Sequence, residues 1–215
     1  MIAMTLSQYI VCFIIYSFLG WLYESIFYSL QFKKLVNTGF LHGCICPIYG
    51  LACVMNTMLL KNVHCAAAVF ILSILIISAI EYGVSYTLER LFDKRWWDYS
   101  DWPANINGRI SLFSSLGFGA MSVFQMFILN PAVDTFIMRM SDKMIHTVIF
   151  MFIICIAGDL LLTVRDMDKN DERLWFLDET SPMVSKASEK IVSGTRNLSD
   201  RYTDIRKKFK ERTGK

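Results

Sequence analysis

The hydrophobic positions of this chain fall into five long runs separated by short polar stretches: about Leu6 to Leu30, Ile45 to Leu60, Val63 to Leu91, Ile110 to Leu129 and Met144 to Val164. A helix crossing the hydrocarbon of a bilayer needs about 20 predominantly apolar residues, so each run predicts a spanning or nearly spanning helix. The second is short and opens with Pro47, a residue suited to the first turn of a helix; a half-helix entering from one side is the alternative. The third covers about 40 Å at 1.5 Å per residue against about 30 Å of hydrocarbon, so it should tilt or project beyond the membrane. The fourth is expected to stop at Asn130-Pro131. The predicted fold class is all-α: a polytopic transmembrane helix bundle of about five spans over residues 1–165, followed by a basic cytoplasmic C-terminal tail over residues 166–215.

Polar residues inside these runs are the sharpest chemical signal. Each ionisable group costs about 2.5–3.5 kcal/mol at the membrane centre on insertion scales, so it should face a cavity or a partner. Glu24, Glu81 and Asp159 lie within runs, and Glu89 and Arg109 near their ends. Glu81 and Glu89 are eight residues apart and share roughly one helix face. On the same side of the predicted bundle lie two connections, "NTGFLHGCICPIYG" (37–50) and "RWWDYSDWPANINGRI" (95–110). Both carry glycine and a proline, which suit tight non-helical backbone. Such backbone is tolerated at membrane depth only where it is buried in protein or lines a cavity. The reading is a polar pocket open to the cytosol, roofed by these loops and walled by the first, third and fourth spans. Its candidate substrate-binding residues are Glu24, Glu81, Glu89, Trp96, Trp97, Asp98, Asn105, Asn107 and Arg109, with Gly39, His42, Pro47, Gly50 and Gly108 forming the loops. Arg109 is expected to pair with Glu81 or Glu24. The competing readings are an interfacial aromatic belt for Trp96, Trp97, Tyr99 and Trp102, solvated end charges for Glu89 and Arg90, a satisfied loop histidine for His42, and simple turn chemistry for residues 105–108.

Composition agrees with the pattern. Hydrophobic residues make up 54% of the chain and charged residues 19%, ordinary for a membrane protein and unusual for a soluble domain. Nine Lys and Arg precede Arg165 and twelve follow it. With the N-terminus outside, the inner side receives Lys33, Lys34, Arg90, Lys94, Arg95, Arg109 and the tail, and the outer side only Lys61, Arg139 and Lys143. That is the positive-inside bias, and it predicts a multi-pass cell-membrane protein with a cytoplasmic C-terminus. No cleavable signal peptide is expected. In the tail, apolar positions at Val184, Ala187, Ile191, Leu198, Tyr202, Ile205 and Phe209 follow a helical period interrupted by Gly194. It reads as a solvated tail, as an amphipathic helix on the anionic inner leaflet, or as a helix that docks on a partner. The cysteines do not form a disulfide framework: Cys12, Cys53 and Cys155 sit in apolar runs, and Cys44-x-Cys46 lacks a second ligand pair for a metal. No metal, no cofactor and no nucleic-acid partner is expected.

"FLGWLYES" (18–25), "NTGFLHGCICPIYG" (37–50), "LERLFDKRWWDYS" (88–100) and "NINGRISL" (105–112) resemble the ABC-transporter type IV, or CmpB-like, family. The resemblance covers roughly residues 5 to 165 and leaves out the tail. It departs at Cys44, where the family would have Pro, and at Thr38, where it would have Arg. It implies an integral membrane protein of permease type. The chain contains no G-x-x-x-x-G-K-[ST], so it has no phosphate-cradling loop of its own, and ATP-driven transport would need a separate ATPase or other membrane subunit. Three functions follow: a permease-like protein binding a solute or lipid headgroup; a membrane-embedded enzyme acting on a lipid substrate, for which no nucleophile–base pair or catalytic residue is visible; or a non-catalytic assembly or regulatory protein. Membrane lipids are partners under all three.

Overall fold

Thr5 starts the first helix with a reciprocal cap: its hydroxyl accepts from the Gln8 N–H, and the Gln8 side chain accepts from the Thr5 N–H at 2.8 Å. The computed structural model describes residues 4–167. It contains α1 (Leu6–Phe32), α2 (Pro47–Leu60), α3 (Ala66–Phe92), a short antiparallel hairpin of β1 (Asn105–Ile106) and β2 (Ile110–Ser111), α4 (Leu112–Phe124), a π turn (Gln125–Leu129), α5 (Asn130–Met138) and α6 (Asp142–Met167). The tail readings beyond residue 167 lie outside the described residues. Among the described residues, four stretches are long and apolar enough to cross a membrane: Leu6–Phe32, Ala66–Phe92, Leu112–Met138 and Asp142–Arg165. The all-α bundle predicted from the sequence is the architecture observed.

Two of the predicted spans differ in detail. The fourth does not stop at Asn130-Pro131. Proline removes a helical N–H and crowds the carbonyl one turn back, and here a π turn absorbs the misfit. The Asn130 N–H donates to the Gln125 carbonyl five residues earlier, and the rod continues to Met138. The second span is not a full helix. Its helical part has 14 residues, about 21 Å at 1.5 Å per residue, which is too short for the hydrocarbon. It starts halfway along α1, where the Cys46 N–H donates to the Ser17 carbonyl at 3.0 Å. From there it runs antiparallel to α1, Gly50 packing on Ser17 and Phe13, and Cys53 and Val54 packing on the cluster around Val11 and Cys12. The other half of the traverse is non-helical backbone, residues 37–46.

Glycine decides the closeness of α1 and α2. A Cβ at Gly20 would fall on the Tyr49 side chain, and one at Gly50 on Ser17 and the Phe13 carbonyl; small residues are what let membrane helices approach this closely. The apolar core is Val11, Cys12, Tyr16, Val133, Ile137 and Ile145. Large apolar side chains such as Leu75, Phe150 and Leu161 point outward, as they would towards lipid.

Candidate functional site

Both predicted loops lie at the same end of the bundle. The Phe40 ring meets Phe92 at 5.5 Å and Trp96 at 5.1 Å, which joins the loop after α1 to the one after α3.

The first loop turns downward into the bundle. Ser29 Oγ accepts from the Val36 N–H at 2.9 Å. Thr38 Oγ1 and Ser25 Oγ share a hydrogen bond at 2.9 Å, and the Trp21 indole N–H donates to Asn37 Oδ1 at 2.7 Å. Gly39 takes φ 96°, open to glycine and strained for other residues. Next, the backbone N–H groups of His42 and Gly43 both donate to Asp159 of α6, at 3.0 and 2.9 Å. The His42 Nδ1 lies 2.7 Å from Thr163 Oγ1. Pro47 then takes the first turn of α2. Every one of these partners is protein, which is the condition under which non-helical backbone survives at membrane depth.

The second loop is built on a turn at Asn107-Gly108, both left-handed (φ 53° and 68°), closed by the Arg109 N–H on the Ile106 carbonyl at 3.0 Å. Asn-Gly is the pair that adopts such a turn most readily. A Cβ at Gly108 would strike Asp98 and Ser100. Asn105 donates to the Ser100 and Trp102 carbonyls at 3.1 and 2.8 Å and accepts from the Gly108 N–H at 3.0 Å. Asp98 Oδ1 accepts from the Ser100 N–H at 2.9 Å and from its hydroxyl at 2.6 Å. Asn107 donates to the Tyr82 hydroxyl at 3.0 Å. The Trp97 indole N–H donates to the Arg109 carbonyl at 3.0 Å, whereas Trp96 makes edge contacts with Phe40 and Phe92.

Arg109 is buried, and its partner differs from the expected one. Its guanidinium donates to Glu89 and lies over the rings of Tyr82 and Tyr86 at 5.4 and 5.5 Å. Neither Glu81 nor Glu24 forms an ion pair with it. Helical rise alone places the start of α4 level with Glu81, but the hairpin carries Arg109 back up to Glu89. Arg95 holds the other Glu89 oxygen at 2.9 Å and reaches Asp98 at 3.6 Å; Glu89 in turn raises the Arg95 guanidinium still further above its usual range.

Both arginines are thereby engaged, and two carboxylates deeper in the bundle are left without a cation among the described residues. Glu81 is 3% exposed. Its Oε1 accepts from the Tyr99 hydroxyl at 3.0 Å, while its Oε2 is buried without a hydrogen-bond partner. Burial, and then the charge on Glu81, push the Tyr99 phenol well above its usual range, so Tyr99 stays a donor. Glu24 has one long contact, from the Cys46 thiol at 3.8 Å. The candidate residues thus divide. Glu89, Asp98, Asn105, Asn107, Arg109, Gly108 and Trp97 knit the second loop together; Gly39, His42, Pro47 and Gly50 shape the first; Glu81 and Glu24 face the interior.

A cavity of about 390 Å³ lies between α1, α6 and the first loop, lined by Ile14, Phe18, Gly43, Cys44, Ile45, Cys155, Ile156 and Asp159. Among the described residues no cluster of His, Cys, Asp and Glu is arranged to hold a metal. The sequence marks neither the acid that Tyr99 of the second loop reaches nor the loop amide that meets Tyr82 of α3.

Comparison with known proteins adds the lineage. The family described as "Putative ABC-transporter type IV" matches residues 11–164. No curated protein and no solved structure matches the chain. The chain belongs to that ABC-transporter type IV family, and with its long apolar helices it is a membrane protein.

Proposed function

From this membership we propose that the protein is permease-like and binds the cationic group of a small solute or lipid headgroup between Glu81, Tyr99 and Glu24, reached from the cytosolic face. The observation that carries this reading is the unpartnered Glu81 Oε2 in a bundle interior where Arg95 and Arg109 are already held by Glu89. An intramembrane carboxylate kept without a protein counter-ion is costly, and such groups mark substrate and ion paths. Tyr99 fixes the carboxylate's orientation and leaves its second oxygen to face the positive charge of a cationic group. The orientation proposed is N-terminus outside and C-terminus in the cytosol. It is supported by the gathering of Lys33, Lys34, Arg90, Lys94, Arg95 and Arg109 around one end of the bundle.

The test is uptake of labelled choline, amino acids and phosphate compounds into liposomes carrying the purified protein. Uptake or specific retention of the cationic members is expected. Preference for anions, or indifference to all of them, contradicts the reading. A pull-down in mild detergent addresses the partner: recovery of an ATPase supports ATP-driven transport by a complex.

A further inference from the structure

Among the described residues, six side-chain oxygens within the helices are buried without a hydrogen-bond partner: those of Ser17, Asn56, Ser73, Glu81, Gln125 and Asp134. All but Asp134 belong to residues 3% exposed or less. A small polar stripe at a membrane-helix interface is common and normally serves packing alone. In that case each hydroxyl turns back onto its own helix, as Ser122 does to the Phe118 carbonyl and Thr57 to the Cys53 carbonyl. Six orphaned oxygens are more than packing accounts for, because buried polar groups are paired with protein or water.

Two of them, those of Gln125 and Asp134, lie on the α4–α5 rod. The buried face of the α4–α5 rod carries Ser115, Ser122, Gln125 and Asn130, with Asp134 one turn further. The step of five residues from Gln125 to Asn130 crosses the π turn, whose wider winding returns Asn130 to the face that Gln125 occupies. From Ser115 to Asp134 the rod rises about 28 Å, close to the thickness of the hydrocarbon. Hydrogen bonds join them in three groups. Tyr16 donates to the Asn130 side-chain oxygen. Gln125 donates to Asn130 at 2.8 Å and to Thr57 at 3.0 Å. Asn56 donates to Ser122 at 2.9 Å, and Ser115 shares a bond with Ser78 at 2.8 Å. Ser78 lies one turn from Glu81 on α3, and Ser73 two turns from it. Each end of the file carries a carboxylate, Asp134 at one and Glu81 at the other.

We propose that this file, completed by water at the orphaned oxygens, conducts protons across the bundle between Asp134 and Glu81. A proton arriving at Asp134 forms a carboxylic O–H. Each onward hop breaks one O–H and makes the next along water and the hydroxyls of Tyr16, Thr57 and the serines, with the Gln125 and Asn130 amides orienting the water. The last hop protonates Glu81, which releases to the side where Tyr99 meets it. No oxidant or reductant is involved, and the driving force is the gradient. The proposal shares Glu81 with the solute reading above and gives the chain an energy source that needs no nucleotide.

The experiment is dye-reported acidification of liposomes containing the full-length protein, under a potassium gradient with valinomycin. Wild type should acidify well above protein-free liposomes, and the isosteric variants Glu81→Gln and Asp134→Asn, eluting as monodisperse protein, should each slow it by about tenfold or more. No flux above the protein-free rate, or wild-type flux in either variant, overturns the proposal. Choline binding by equilibrium dialysis separates the two readings. Asp134→Asn should retain whatever choline binding the wild type has, and proton flux in a wild type that binds no choline would leave the file standing while the solute reading fell.

Discussion

The Tyr99 hydroxyl donates to Glu81 Oε1 at 3.0 Å, so a residue of the loop after α3 returns to a carboxylate about three turns inside that helix. The same logic recurs in the first loop, where His42 and Gly43 settle onto Asp159. In each case an acid inside a spanning helix fixes a stretch of irregular backbone at depth. That is why the chain tolerates aromatic, glycine-rich connections where ordinary polar loops would serve.

Arg109 is the keystone of the second loop. Removing its side chain takes a donor from Glu89 and a cation from the Tyr82 and Tyr86 rings. Arg109→Ala should lower the thermal unfolding midpoint in detergent by far more than Arg90→Ala, whose side chain is exposed at the end of α3. Arg109→Lys should recover only part of the loss, because a point charge cannot replace the planar guanidinium over two rings. Equal midpoints for the two alanine variants would remove Arg109 from this role.

Glycine at two positions gives opposite expectations. Gly50→Ala drives a methyl group into Ser17 and the Phe13 carbonyl, and such overpacking costs about 1–3 kcal/mol. Gly83 has nothing within 4 Å of its missing Cβ, so Gly83→Ala should stabilise α3 by about 0.5–1 kcal/mol through helix propensity. Thermal midpoints of the two variants, measured side by side, should move in opposite directions; a neutral Gly50→Ala would mean that α1 and α2 are not in close contact.

The traverse made by residues 37–46 and α2 together sets the parity of the topology. Among the described residues it makes five passes through the bundle out of four long helices and one composite segment. A reporter active only in the cytosol, fused at Lys215, should therefore signal, and the same reporter inserted beside Lys61 should be silent. A silent but stably expressed Lys215 fusion would show an even number of crossings or the reverse orientation.

The spans were legible because an apolar run of about 20 residues has few other uses. What the sequence hid were relationships across distance. The depth of the first loop depends on Asp159, more than a hundred residues away from His42. Arg109 was matched to the acids nearest its nominal depth, and the Asn107-Gly108 reversal takes it to Glu89 instead. Pro131 reads as a stop, and only the partnership of Gln125 and Asn130 with Tyr16 and Thr57 shows why the helix winds through it. Neutral amides carry no charge to mark them in the sequence, so their pairing shows only once the helices are packed.

Glu81 is proposed to present one oxygen to a ligand and one to Tyr99. Retention of labelled choline by purified Glu81→Gln, compared with wild type alongside their thermal midpoints, addresses it most directly. The amide can still accept from Tyr99, so the midpoint should stay close to wild type, while choline retention should fall to the background of protein-free detergent. Retention unchanged in Glu81→Gln, or a collapse of the midpoint with no separate effect on choline, would make Glu81 a structural pin and contradict the account.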